Sequence, residues 1–271
     1  MDSLLGKTLN FIDEANKTNN TISIFTSEQG YSFPFGKWTC YDLGLKTAFI
    51  AKWPGKIEPN TRNNATTQYV DIVPTLLDAI GEDPDKFNVG ISDKSGNNGF
   101  DGKSFLNALK GETEKHRDFT YGVHTTRGII NGSESYPIRS VRSDRYKYIQ
   151  NLSHEKLFYN VVTAKEAGRP GYILYESWLE NAKNEEELSW VKHYKKRPFE
   201  EFYDLKNDPY EKNNLAQDPN YFQLKKDLQI QLKSWMQQQG DLGVETEMKA
   251  VTRQHGKGKW LSYKEKIKSK S

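Results

Sequence analysis

Apolar and polar positions predict alternating helices and strands in the first half of the chain. Apolar residues at helical spacing between residues 5 and 12 predict an opening helix that ends near Asn19. Alternating or β-branched runs then predict strands at residues 22–25 and 48–51. A further helix is predicted at residues 68–80, with an apolar face formed by Val70, Val73, Leu76, Leu77 and Ile80. Because one strand cannot build a parallel sheet, a helix leading straight into residue 22 indicates entry partway into a larger α/β fold.

The second half of the chain favours antiparallel strands. Residues 137–142 and 145–149 alternate on either side of Ser143-Asp144, which predicts a β-hairpin. Further strands are predicted near residues 119–123 and 201–205, and helices at residues 185–194 and 221–239. Residues 160–198 are otherwise mixed in pattern. From Gly240 the chain is basic and contains several glycines, which predicts a mobile tail.

Composition sets bounds without naming a chemistry. The net charge of +3 is the difference between 39 basic and 36 acidic residues, so it does not indicate a nucleic-acid partner. The hydrophobic content of 35% is low, but 15 Tyr, 13 Phe and 6 Trp supply enough apolar surface for a folded core. The single cysteine, Cys40, excludes an internal disulfide and a multi-cysteine metal site. No apolar run approaches the length of a membrane span.

Candidate chemistry lies where the strand at residues 22–25 ends. Glu28 and Gln29 follow the strand directly, and Lys37 comes eight residues later in a segment of glycine, proline and aromatic residues. Ligands of open α/β sheets bind beyond the carboxyl ends of strands. Oxygen donors followed by a lysine at such a place suggest a site for a hard cation and an anion.

Eight segments, in order along the chain, together resemble the C-terminal half of the type I sulfatases of the alkaline-phosphatase-like superfamily. The segments are residues 21–30, 36–42, 51–57, 70–77, 101–104, 136–142, 145–149 and 203–211. One such match would be weak, but eight in family order are specific. Residues 124–128, His-Thr-Thr-Arg-Gly, add a resemblance to the heparan N-sulfatase-like branch.

The resemblance implies an α/β fold class. The chain would hold the C-terminal part of an alkaline-phosphatase-like α/β/α sandwich and a small subdomain of antiparallel strands and a helix. We expect residues 1–130 to form the C-terminal portion of the α/β domain and residues 131–240 to form the subdomain. Residues 241–271 would be the basic, mobile tail.

The resemblance also implies a mechanism and a set of residues. In this family the hydrate of a formylglycine attacks sulfur, and a calcium ion held by four side chains polarises the sulfate. Glu28 and Gln29 match two metal-ligand positions, although each is one methylene longer than the usual residue. Lys37 matches a lysine that contacts the sulfate and the formylglycine hydrate. His124 is expected to bind substrate or donate a proton, and Arg127 to pair with a sulfate or carboxylate. The other histidines show no motif and are expected at the surface.

The formylglycine residue itself is expected only in a missing N-terminal half. Residues 135–139 fit the Ser-x-Pro-x-Arg pattern, but Arg139 opens an alternating strand, so we interpret Ser135 as a coincidental match. Cys40 is followed by Tyr-Asp-Leu and is interpreted as a small buried residue. The chain would therefore be a C-terminal sulfatase fragment, inactive alone and partnered by its N-terminal half.

Two other classes of function stay open beside a sulfatase acting on a glycosaminoglycan-like carbohydrate. A phosphodiester or phosphonate hydrolase of the same superfamily would share the metal loop. A non-catalytic protein could bind sulfated glycans without turnover. A nucleic-acid binder is disfavoured, because the lysine-rich end is short and the charge otherwise balances. The first residues are amphipathic and carry acids, so we expect no signal peptide there. The chain leaves the localisation open, and the resemblance implies a periplasmic, secreted or lysosomal parent.

Overall fold

A computed structural model describes residues 2–127, 132–160, 163–164 and 170–250. The chain divides into two compact units. The first unit comprises residues 1–28, 47–92 and 96–118, and the second comprises residues 29–46, 93–95 and 119–271. In this division residues 29–46 belong to the second unit, and the boundaries expected at residues 130 and 240 stay predictions.

The described residues form short strands and helices in mixed order. The strands are β1 (Ser23–Thr26), β2 (Phe49–Lys52), β3 (Thr120–His124), β4 (Ile138–Arg142), β5 (Tyr146–Asn151) and β6 (Glu200–Asp204). The α-helices are α1 (Asp2–Glu14), α2 (Asp42–Leu45), α3 (Ile72–Ala79), α4 (Leu106–Leu109), α5 (Pro170–Asn181), α6 (Glu185–His193), α7 (Phe222–Gln239) and α8 (Val244–Met248). Within these ranges no helix is both long and apolar enough to cross a membrane.

The first unit is built on a two-stranded antiparallel sheet, in which Phe25 of β1 faces Ile50 of β2. The helix predicted at residues 68–80 begins as a 3₁₀ turn, Tyr69–Asp71, and continues as α3. Asp71 is fully buried and accepts hydrogen bonds from the backbone N–H of Gln68 and of Lys103, 2.9 Å away in each case. It also pairs with the guanidinium of Arg117. One carboxylate thus joins the start of α3 to segments more than 30 residues further along the chain.

The second unit is built on an antiparallel sheet with the strand order β3-β4-β5-β6. The hairpin predicted around residues 143–144 is confirmed as β4 and β5, with Val141 opposite Tyr148. Both faces of the sheet are covered by apolar clusters. One contains Val141, Tyr148 and Phe202 with Leu228 and Leu232 of α7. The buried members of the other include Phe35, Tyr136, Ile138, Ile149, Phe158, Tyr194 and Tyr203.

Two elements differ from the sequence-based expectation. The mixed region at residues 160–198 contains α5, in which a run of consecutive apolar residues, 172–175, obscures the helical spacing. The tail predicted from residue 241 begins with α8, and Glu247 in that helix is buried. Residues 241–250 are therefore packed within the second unit by polar contacts that composition does not reveal. Residues 251–271 lie outside the described residues.

Candidate functional site

Lys37 lies on a segment of the second unit, residues 29–46, which we call the Lys37 loop. The lysine is half-buried, and its ammonium nitrogen is 5.0 Å from the centroid of the neighbouring Trp38 ring. Its backbone N–H donates a 2.8 Å hydrogen bond to the carbonyl oxygen of Tyr31. The loop therefore closes on itself immediately before the lysine.

The backbone on both sides of Lys37 has an unusual conformation. Phe35 has a φ of 63° and Trp38 a φ of 66°, a region that bulky L-residues rarely occupy. Gly36 lies between them, and a Cβ atom there would overlap the carbonyl oxygen of Tyr31. Residues in such conformations cost about 1–3 kcal/mol each and persist where the surrounding structure fixes them, often at functional sites. The geometry of the loop thus supports the prediction that Lys37 is functional.

An aromatic cluster holds the first part of the Lys37 loop. The buried Phe35 ring stacks on Trp190 of α6, with centroids 4.2 Å apart and planes within 10°. It also meets the edge of Tyr194 at 5.0 Å. Cys40 is fully buried, and burial raises the pKa of its thiol to about 11. A protonated, inaccessible thiol agrees with the interpretation of Cys40 as a packing residue.

A buried carboxylate holds the middle of the loop. The Tyr41 hydroxyl donates a 2.7 Å hydrogen bond to Glu201 of β6, and Tyr203 donates one of 2.6 Å. His193 Nε2 lies 3.0 Å from the same oxygen, Glu201 Oε2, and the Asn151 amide lies 2.6 Å from Oε1. Burial opposes ionisation of Glu201, but the contacts with His193 and other donors outweigh it and lower the pKa to about 2.

A buried ionic cluster holds the end of the loop. The Lys147 ammonium of β5 is fully buried, 2.5 Å from Asp42 and 3.1 Å from Glu211. Burial alone would lower the pKa of Lys147, but Glu211 and Asp42 raise it above its usual value. Glu211 also accepts a 2.6 Å hydrogen bond from the backbone N–H of Asp42, at the start of α2. The contacts of Tyr41 with Glu201 and of Asp42 with Lys147 therefore fix the loop to β6 and β5, and the Asp42 N–H fixes it to Glu211 beyond β6.

His124 ends β3 and is directed into the core rather than toward solvent. Only 7% of the residue is exposed, and its ring meets the edge of Phe158 at 5.7 Å. Burial, followed by the charges of Arg197 and Arg139, lowers the pKa of His124 to about 3. The predicted role as a proton donor requires a protonated ring, which this environment disfavours. Its role as a substrate-binding residue stays a prediction.

Arg127 lies three residues beyond His124 but in a different environment. Its guanidinium Nη1 is 3.4 Å from Glu134 Oε1, and its backbone N–H donates a 3.0 Å hydrogen bond to Glu247 of α8. The same oxygen, Glu247 Oε1, also accepts from the Thr126 N–H, the Thr126 hydroxyl and the Tyr136 N–H, each at 3.0 Å. The helix in the predicted tail thus fixes both ends of the segment that carries Arg127. Gly128, which completes the sequence pattern, lies outside the described residues.

Glu28 and Gln29 follow β1, as predicted. Glu28 is exposed and ends the first stretch of the first unit, whereas Gln29 is half-buried and begins the Lys37 loop. In the part of the chain that the structure describes, no group of three or more His, Cys, Asp or Glu side chains could hold a metal ion. The carboxylate and amide oxygens suit a hard cation chemically, but two donors are fewer than the 6–8 that calcium takes.

The Ser-x-Pro-x-Arg match is a structural segment. Ser135 is buried before β4, and Arg139 lies within the strand and pairs with Asp241 through its guanidinium. The expectation that the other histidines lie at the surface is wrong for two of them. His193 contacts Glu201, and His116 is buried with its Nε2 3.2 Å from Asp71. No local sequence motif predicts either of these two contacts.

Comparison with solved structures identifies the fold. Over 89% of this chain and 39% of the other, it resembles a protein solved in complex with its substrate D-glucosamine-2-N,6-O-disulfate, with a TM-score of 0.58 and 22% identity. It also resembles the phosphonate monoester hydrolase of Agrobacterium radiobacter, with a TM-score of 0.52 and 21% identity over 86% of this chain and 38% of that one. The chain therefore has the alkaline-phosphatase-like fold.

Sequence comparison identifies the family. Residues 28–166 match the family model described as "N-sulphoglucosamine sulphohydrolase, C-terminal". The chain is 36% identical to an ulvan-active sulfatase of Formosa agariphila over 225 residues, which are 83% of this chain and 39% of that protein. It is 28% identical to human N-sulphoglucosamine sulphohydrolase over 243 residues, 87% of this chain and 45% of that protein. The chain belongs to this sulfatase family and spans about two-fifths of the length of these relatives.

Proposed function

We propose that the chain is the C-terminal part of a sulfatase that removes sulfate ester or N-sulfate groups from a carbohydrate. The observation that carries this proposal is the family match, because residues 28–166 include every candidate residue from Glu28 to Arg127. The relatives named above include an ulvan-active sulfatase and an N-sulphoglucosamine sulphohydrolase. A sulfated, glycosaminoglycan-like carbohydrate is therefore the proposed substrate class.

Lys37 is the proposed catalytic residue. A compact ammonium suits a tetrahedral oxyanion, and its charge stabilises the negative charge that develops on the sulfate oxygens. The strained loop, anchored by its buried Phe35 and Tyr41, supports this role, because it holds the lysine before substrate arrives. Arg127 is proposed to bind a sulfate or carboxylate elsewhere on the sugar, in exchange for its contact with Glu134.

Glu28 and Gln29 are the residues of this chain proposed to bind calcium. A bound calcium ion would polarise the sulfate and make sulfur more electrophilic. The Glu28 carboxylate and the Gln29 amide oxygen would supply two of its ligands, and the other ligands are proposed to come from outside the chain.

The nucleophile is also proposed to come from outside the chain. Cys40 is buried and protonated, and Ser135 is buried ahead of a strand, so neither fits a formylglycine that must meet substrate. The proposed nucleophile is the hydrate of a formylglycine on an N-terminal segment, and the chain alone is expected to be inactive.

Two assays test the proposal. The purified chain should not hydrolyse 4-nitrophenyl sulfate, whereas a fusion to the part of the Formosa agariphila sulfatase outside the matched region should hydrolyse sulfate esters faster than phosphodiesters or phosphonates. Turnover by the chain alone would contradict the fragment assignment, and a preference for phosphorus esters would instead indicate the related hydrolase. The nucleotide sequence preceding Met1 should contain an in-frame Cys/Ser-x-Pro-x-Arg.

A further inference from the structure

Helix α3 of the first unit turns its apolar side outward. Val73 is 52% exposed, Leu76 39% and Ile80 75%, and Val70 in the preceding 3₁₀ turn is also exposed. At about 100° per residue these side chains form one stripe along the helix. The opposite side carries Asp71 and Thr75, which are buried. We call Val70, Val73, Leu76 and Ile80 the α3 stripe.

The exposure of the stripe reverses the usual rule for an amphipathic helix. Thr75 donates a hydrogen bond to the Asp71 carbonyl and accepts one from the Phe105 N–H, so polar contacts hold the inward side of α3. A surface helix normally packs its apolar side and exposes its polar side. Since the polar side is engaged within the first unit, the apolar side chains of the α3 stripe remain exposed.

The rest of the first unit also has few buried apolar side chains among its described residues. Both large apolar clusters among the described residues belong to the second unit. In the first unit the buried apolar side chains described are those of Pro74, Phe105, Leu106 and Ala108, while Ile50 on the sheet is 62% exposed. A two-stranded sheet of this kind is at best marginally stable without packing on one of its faces.

The lengths of the relatives indicate what covers the stripe. The chain matches a C-terminal family model and only 39% of the ulvan-active sulfatase to which it is 36% identical. We propose that the α3 stripe docks against the segment of a sulfatase that these relatives carry outside the matched region. This inference rests on the proposed function, because it takes that segment to be the one that supplies the nucleophile.

A binding experiment tests the surface without relying on catalysis. The probe is the part of the Formosa agariphila sulfatase outside its match to this chain, expressed as a separate polypeptide. The full chain should bind it in a one-to-one complex by sedimentation velocity. The double variant Val73→Lys, Ile80→Lys should bind roughly a hundredfold more weakly, because two apolar contacts are replaced by charges. The control Ile230→Lys, on the exposed side of α7, should bind like the unaltered chain.

Each other outcome overturns the inference. No complex, or a complex that the double variant forms equally well, would show that the stripe is not the docking surface. Self-association of the chain that the double variant abolishes, with no binding of the probe, would assign the stripe to a second copy. Equal thermal unfolding of the double variant and the chain excludes misfolding as a cause of weaker binding. If the double variant unfolds at a lower temperature, the single variant Ile80→Lys, at the most exposed position of the stripe, is tested instead. Binding of the probe by this variant as tight as by the unaltered chain would overturn the inference.

Sulfate turnover by the same complex separates the two proposals. A stripe-dependent complex that hydrolyses no sulfate ester would contradict the proposed function and leave the docking surface intact. Sulfate turnover by a complex that the double variant forms as tightly as the unaltered chain would support the function and overturn the docking surface.

Discussion

Lys37 lies between two residues with left-handed backbone, Phe35 and Trp38, and the contacts around them explain how that strain persists. The Phe35 ring is locked against Trp190, and Tyr41 is locked against Glu201. Neither partner is near the loop in sequence. The backbone around the lysine is therefore held by residues about 150 positions further along the chain. Such contacts fix the position of the lysine.

Replacement of Lys37 tests its catalytic role at the residue scale. In the active fusion, Lys37→Ala should lower kcat/KM for a sulfate ester by about 10²–10³-fold, because one preorganised charge on the oxyanion is lost. Thermal unfolding should not change. Lys46→Ala is the matched control, since Lys46 is exposed at the end of the same loop. Equal activities of the two variants would remove Lys37 from the proposed mechanism.

Glu201 gives the second unit a specific dependence on pH. Its folded pKa of about 2 lies below the ordinary value of 4.5, so its stabilising effect is complete above pH 4.5 and is lost as the pH falls toward 2. Glu201→Gln should lower the free energy of unfolding by about 3 kcal/mol at neutral pH. The difference between the two proteins should shrink over that acidic range.

Urea unfolding at several pH values, followed by tryptophan fluorescence, measures this effect. Glu186→Gln serves as the control, because Glu186 is exposed on α6. A difference between Glu201→Gln and the unaltered chain that stays constant down to the lowest pH would contradict the assigned pKa shift.

At the scale of elements, α8 acts as a clamp on the segment that carries Arg127. Glu247→Ala removes the acceptor of three backbone N–H groups, those of Thr126, Arg127 and Tyr136. Their amide hydrogen exchange should accelerate by at least about tenfold, since each lost buried hydrogen bond contributes about 1 kcal/mol or more. Glu245→Ala is the control, because Glu245 is exposed and pairs with Lys249. Unchanged exchange at these three amides would show that α8 is not the clamp.

The elements also show which patterns a sequence reveals. The β4–β5 hairpin follows from alternation around a short turn, and α7 follows from leucines at helical spacing. Helix α5 is different, because Tyr172, Ile173 and Leu174 are consecutive and hide the helical period. For α3 the sequence predicted an apolar face at Val70, Val73, Leu76, Leu77 and Ile80. The structure leaves four of these residues exposed, because Asp71 and Thr75 make the internal contacts.

At the scale of the whole molecule, the two units differ in their apolar cores. The described clusters of buried aromatic and aliphatic residues lie in the second unit, so the first unit should open at lower denaturant. Hydrogen exchange in increasing urea should show amides of α3 and β2 exposed before those of β4 and β5. Simultaneous exposure of both sets in one transition would contradict this order, and the docking partner described above should delay opening of the first unit.

The sequence by itself determined most elements, the hairpin and the family, because these depend on periodicity and on residue types at short spacing. It also located Lys37, Glu28, Gln29 and Arg127 as candidates. The tertiary structure decided which polar groups meet in the interior, as in the contacts of Glu201 with Tyr41 and of Lys147 with Asp42. It also turned His124 inward and α3 outward. These contacts and orientations depend on strand pairing between distant segments and on desolvation, which local sequence patterns do not encode.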